Sequence, residues 1–287
     1  MPLSQPPLDL LPIRRLGPED LLACADLSEN RGWPREEHKW GLLLAAGVGH
    51  GIDDPSGTGL LAVCVVTSYG PGLAAIGMVL VAERYARQGV GRRLMRHVLA
   101  EAGDTPVSLY ATSNGQPLYE ELGFSEVARS EMLRGRFTAA EPAPERAVRP
   151  ATAEDLQHVV RLDHEIFGAD RTHLLTRLPA FADQLRVAEE DGRITGFAAL
   201  WPNMETHVVG PVIARDAGTA QALIASLAST TDRPLRTDID TGHTELVTWL
   251  KANGLEQIIT NAVMIRSRAD LPGDWNRRFA PLTVAAG

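Results

Sequence analysis

Several things are scarce in this chain of 287 residues. It has two cysteines, Cys24 and Cys64, in separate apolar segments. Neither belongs to a metal-ligand spacing or a disulfide framework, so no metal site is expected and a reducing, cytoplasmic compartment is the default. Lysine is confined to Lys39 and Lys251, which leaves nearly all positive charge on arginine. The 28 basic residues are outnumbered by 36 acidic ones, for a net charge of -8. That balance argues against a nucleic-acid partner, which would need a basic face against phosphate, and leans toward cationic or neutral substrates. No apolar run approaches the length of a membrane span, so no membrane partner is expected. The opening "MPLSQPPLDLLPIRRL" lacks the charged and apolar regions of a secretory signal, and its prolines read as a loose leader.

What is present is a normal globular composition, 44% hydrophobic and 22% charged. The length suits one large domain or two ordinary ones. The Pro/Ala/Glu run "TAAEPAPERA", residues 138–147, reads as a linker. On either side of it the chain repeats itself. "IRRLGPEDL" from Ile13 matches "VRPATAEDL" from Val148 at an offset of 135, which pairs Arg14 with Arg149 and Asp20 with Asp155. "IGMVLV" (76–81) matches "VGPVIA" (209–214), and "YEELGFSEVARSEMLRG" (119–135) matches "LKANGLEQIITNAVMIRS" (250–267). Three matches in order indicate a duplicated domain. Residues 1–137 and 148–287 are therefore expected to be two domains. In each, alternating apolar runs read as strands and 3.6-period runs as helices, an α/β (α+β) class with a mixed sheet.

The most informative stretch is "RQGVGRRLM", residues 87–95, directly after the apolar strand "LAAIGMVLVA". A strand ends, two glycines follow, and a helix opens among arginines. Helix N-termini expose unpaired N–H groups and partial positive charge, and glycines let backbone approach an anion closely. The physical reading is a phosphate or pyrophosphate cradle. It is not a Walker loop, because the Gly-Lys-Ser/Thr ending is missing. Nor is it a Rossmann fingerprint, because the third glycine is missing.

Together, "IGMVLVAERYARQGVGRRLM" and the later "LYATSNGQPLYEELGF" resemble the GNAT superfamily of acyl-CoA-dependent N-acetyltransferases. The resemblance is strong over residues 13–135. It implies tandem domains, each with a mixed, mostly antiparallel central sheet flanked by helices, and acetyl-CoA as co-substrate without a metal. It implies that the backbone of Met78, Val79, Leu80 and Val81 grips the pantetheine arm, and that Arg87, Gln88, Gly89, Val90, Gly91 and Arg92 hold the pyrophosphate. Ala86 stands where the family has Arg or Gln, a departure from the pattern. Tyr119 is the implied general acid toward the departing thiolate, and Asn114 is expected to cap or precede the following helix and to contact the arm. Glu83, ending the strand, is the candidate general base, directly or through water.

"NRGWPREEHKW", residues 30–40, is a candidate acceptor site. Trp33, Glu36, Glu37, His38 and Trp40 would suit a cationic amine. The second half has only Gly218 in its loop and Leu250 in place of Tyr119, so it is expected to be a degenerate copy. The expected activity is acetyl transfer to an amine, more readily a small molecule than a protein. The alternative is a non-catalytic acyl-CoA-binding regulatory protein. Monomer and homodimer are equally compatible with the sequence.

Overall fold

The computed structural model describes residues 7–57 and 59–287. The first half runs β1 (Arg14–Leu16), α1 (Leu21–Asn30), α2 (Glu37–Ala46), β2 (Val48–Asp53), β3 (Leu60–Ser68), β4 (Ala74–Val81), α3 (Val90–Ala102), β5 (Val107–Ala111), α4 (Gln116–Glu121) and β6 (Ser125–Gly135). The second half repeats the order: β7 (Ala147–Pro150), α5 (Leu156–Phe167), α6 (Thr172–Leu175), α7 (Leu178–Phe181), β8 (Gln184–Glu190), β9 (Arg193–Asn203), β10 (Thr206–Ala214), α8 (Ala217–Ala228), β11 (Leu235–Asp240), α9 (Thr244–Ala252) and β12 (Glu256–Arg266). A short β13 (Arg278–Ala280) follows.

The duplication shows in side chains as well as in element order. In the first half Arg14 pairs with Asp20 at 2.7 Å and with Asp53 at 2.9 Å. In the second, Arg149 pairs with Asp155 at 2.6 Å and with Glu189 at 2.9 Å. Each of these aspartates also accepts the backbone N–H three residues earlier, of Gly17 or of Thr152. The motif thus closes the turn that starts the first helix and ties that turn to the edge strand.

The described strands form one sheet, in the order β1-β2-β3-β4-β5-β12-β6-β11-β10-β9-β8-β7, with β13 paired to β10. The halves exchange their last long strands. Strand β12 of the second half lies between β5 and β6 of the first, and β6 lies between β12 and β11. All but two of the pairings are antiparallel; β4 with β5 and β10 with β11 are parallel. Strand β3 is apolar on nearly every residue because helices cover both of its faces. One core cluster joins Leu27, Trp40 and Met78 of the first half to Phe197, Trp201 and Leu282 of the second. The halves therefore share a core as well as a sheet.

One expectation changes here. The leader is not loose over its described part: Leu11 is buried, and Arg93 donates to the carbonyls of Leu8 and Leu11. Residues 1–6 lie outside the described residues. Arg93, held by this contact, is not among the residues that line the cleft described below. No helix among the described residues is long and apolar enough to cross a membrane.

Candidate active site

Strands β4 and β5 are paired only at Ala74–Val107 and Ala75–Ser108. From Ile76 onward they diverge, so the edge of β4 that faces the gap has main-chain donors and acceptors without ladder partners. On its other edge, the register with β3 slips between Val63 and Val65, opposite Met78 and Val79. Met78 sits in that bulge with φ 53°, a left-handed conformation that a non-glycine residue adopts at a cost. The bulge turns the backbone of residues 78–81 into the gap, where an extended ligand can pair as an added strand.

The loop after β4 leads to Gly89, the N-cap of α3, with φ 82°. No side chain caps this helix, so its first N–H groups stay available. A side chain at Gly89 would meet no neighbour, so the residue is glycine for its backbone angle. At Gly91 a Cβ would come within 3.4 Å of Val81 Cγ2. Arg87 and Arg92 flank the helix start, and Arg92 is also paired with Glu121. A preorganised cluster of amides with formal positive charge binds a pyrophosphate well.

These parts line one open cleft of ≈ 680 Å³. Its walls include Met78, Val79, Leu80, Val81, Arg87, Gly89, Val90, Gly91, Arg92, Asn114, Tyr119 and Trp33. The Tyr119 ring is buried, edge-on to Phe124 at 6.0 Å. Burial, with a smaller contribution from Cys64, raises its phenol above the usual tyrosine range, so it holds its proton at any physiological pH. Burial likewise raises Tyr110, which also lines the cleft.

Other expected site residues lie elsewhere. Gln88 is exposed and donates to the carbonyl of Arg84, outside the cleft lining. Glu83 is exposed and also outside the lining, though its backbone N–H is held by Asn30. Asn114 lines the cleft but does not cap α4; the N-cap is Gly115, and no side chain serves as cap. The acceptor segment is corrected most. Of the five residues named there, Trp33 alone reaches the cleft, and it is 38% exposed. Glu37 is an exposed partner of Arg35. Trp40 is fully buried and donates to Ser28 Oγ, and His38 stacks on Phe181 at 4.3 Å.

Glu36 is buried between the halves, paired with Lys39 and with Arg236 at 3.0 Å, and accepts from Asn203 at 2.8 Å. Burial favours its neutral form, but the two cations outweigh this and hold its carboxyl below the usual range. The segment therefore fastens the halves together more than it shapes an acceptor pocket. Arg31, Tyr110 and Ile259 are among the lining residues that the sequence reading did not single out. Ile259 belongs to the exchanged β12, so its presence follows from a long-range pairing that no local pattern encodes.

A GNAT acetyltransferase domain model matches residues 50–126, and a second model of the same description matches residues 159–280. The chain is a tandem GNAT protein. It is 28% identical over 238 residues to the uncharacterized N-acetyltransferase YitH of Bacillus subtilis, covering 81% of this chain and 83% of that one. In fold it is similar to a putative acetyltransferase of Pyrococcus horikoshii, with TM-score 0.79, 19% identity and 96% of each chain covered. It is similar also to a tandem GNAT protein of the clavulanic acid biosynthesis pathway, with TM-score 0.63, 13% identity, and 91% of this chain and 99% of that one covered. These matches make the protein an acyltransferase of the N-acetyltransferase class, in a family that uses acyl-CoA donors.

Proposed function

We propose that the first half of this GNAT protein transfers an acetyl group from acetyl-CoA to a small-molecule amine, and that the second half supports it without a donor site of its own. The observation that carries the reading is the coincidence, in one cleft, of the bulged free edge of β4, the uncapped start of α3 and the buried Tyr119. The residues fit the donor: a free strand edge for the amide-rich arm, a helix N-terminus with Arg87 and Arg92 for the pyrophosphate, and Asn114 beside the arm. When bound, the donor supplies an activated acetyl thioester.

The chain's own groups supply the rest. Backbone N–H groups at the bulge polarise the carbonyl and stabilise the negative charge that develops on it. Tyr119 keeps its proton until a thiolate departs, and donates it then. The amine must attack as the neutral base. Among the described residues lining the cleft there is no aspartate or glutamate, so the amine's proton leaves through water, with Glu83 as a base only at a distance. With Glu36 and Glu37 outside the cleft, the charge argument for a cationic acceptor falls away. Arg31, beside Trp33, favours an amine whose neighbouring group is neutral or anionic.

The test is a screen of amines with purified protein and acetyl-CoA, run in parallel with Tyr119→Phe. Turnover by the wild type, with the variant still binding acetyl-CoA but slowed about 100-fold, supports the mechanism. Binding without turnover on any amine would leave a regulatory acyl-CoA binder.

A further inference from the structure

A second group of chemically capable side chains sits on another part of the first half. His50 projects from β2, and His97 and Glu101, one turn apart, project from α3. Each offers one ligand atom, and the three atoms lie within 4.8 Å of one another. His50 Nε2 is 3.7 Å from Glu101 Oε2, and His97 Nε2 is 3.3 Å from Glu101 Oε1. The edge of a tetrahedron of nitrogen and oxygen ligands around zinc is about 3.3 Å, given bonds of about 2.0–2.1 Å. The side chains are therefore close to the spacing that one such ion needs.

His50 gives the independent observation. It is 2% exposed, its Nδ1 has no hydrogen-bond partner, and its Nε2 stands beyond hydrogen-bond distance from Glu101. Nε2 thus faces the Glu101 carboxylate with space between them, in a ring buried without a partner on its other nitrogen. The other charges facing the group are few. Arg15, on the neighbouring β1, has its guanidinium 3.9 Å from Glu101 and is largely exposed, so it can swing out as a cation enters. The cavity beside the group, ≈ 410 Å³, is lined by His50, Glu101, Arg15 and His173 among others, and shares no lining residue with the donor cleft.

We propose that His50, His97 and Glu101 form a divalent-cation site of the zinc class, with water or a ligand from the adjacent cavity in the fourth position. Two histidines and one carboxylate on an open tetrahedron are ordinary zinc chemistry. The ion would tie β2 to α3, the helix whose first turn forms the anion cradle, and would act apart from the acyl-transfer chemistry.

The test uses the full chain, free of any affinity tag and stripped with chelator. Zinc is titrated by calorimetry, and cobalt(II) is added separately as a spectroscopic probe. The expected result is one zinc per chain, an upward shift of the melting midpoint, and the intense visible bands of four-coordinate cobalt. His97→Ala and Glu101→Gln, both at partly exposed positions, should each weaken zinc at least about 100-fold, beyond the usual cost of losing an outer-shell partner. Their melting midpoints in chelator and their acetyl-CoA binding should match the wild type. Absence of zinc binding in the wild type, or binding that survives both substitutions, would overturn the site.

Discussion

The two halves place the same helix after the same strand, and treat its N-terminus in opposite ways. Helix α3 starts at an uncapped Gly89, with Arg87 and Arg92 beside an open cleft. Helix α8 starts at Asp216, whose carboxylate accepts from the N–H of Thr219 at 2.7 Å and from its hydroxyl at 2.8 Å. Pro144 and Arg146 of the linker pack over Gly218 in that first turn. A carboxylate thus occupies, from within, the place where α3 can receive an anion.

The gaps between the splayed strands differ in the same sense. Strands β10 and β11 are joined at only two residue pairs, as β4 and β5 are. In the second half, β13 enters the gap and pairs with β10 at Val212–Ala280 and Ile213–Arg278. The following residues run on into the shared core: Ala285 packs on Gly77, and Tyr69 donates to the carbonyl of Ala286. Arg171, paired with the buried Asp163, donates to the carbonyl of Gly287 at 2.8 Å, and Phe167 lies between Arg171 and Arg278. One copy of the fold keeps its groove open, and the other fills it with its own chain. A duplicated scaffold can in this way spend one ligand groove on stability.

Several changes would break or sharpen this contrast. Gly91→Asp places in the first half the kind of carboxylate that Asp216 supplies in the second. It should weaken acetyl-CoA at least about 100-fold by calorimetry, through repulsion and lost charge-assisted hydrogen bonds. Tyr119→Phe should leave that affinity intact and lower kcat by about 100-fold, the lower range for loss of a general acid. Asp216→Ala should cost about 1 kcal/mol of stability, as loss of an N-cap does, read from a urea midpoint. It should open no second donor site, because β13 still fills the gap.

The smallest effect concerns the feature that the halves share. Asp20 and Asp155 are held below the ordinary carboxylate range, in each case first by the hydrogen bond from Arg14 or Arg149. Their stabilisation is complete above the unfolded value near ~3.9 and drains away as pH falls below it. Melting midpoints measured from pH 6 down to pH 3 should decline in the acid part. In Asp155→Asn, which has no such carboxylate in the second half, the decline should be shallower.

Much of this architecture was legible because it is local. The strand "LAAIGMVLVA" and the helix after Gly89 follow from apolar periodicity and glycine placement. The duplication was legible because Arg14 and Arg149, with Asp20 and Asp155, recur at a constant offset. The exchange of β6 and β12 was not, because neither strand's own residues specify its neighbours and the choice is made by tertiary pairing. Glu36 misled for a related reason. Its charge reads as surface or substrate chemistry, and only the fold brings Arg236 and Asn203 from the other half to bury it. Arg31 lay within the segment proposed for the acceptor but was passed over among its neighbours; it matters because the turn after α1 ends at the cleft.

The central claim is that one half carries a working donor site and the other a closed one. The number of acetyl-CoA molecules bound per chain, measured by calorimetry on the intact protein, tests it most directly. The account predicts one site per chain, abolished by Gly91→Asp and unaffected by Asp216→Ala. Two sites per chain, or a single site that survives Gly91→Asp, would contradict it.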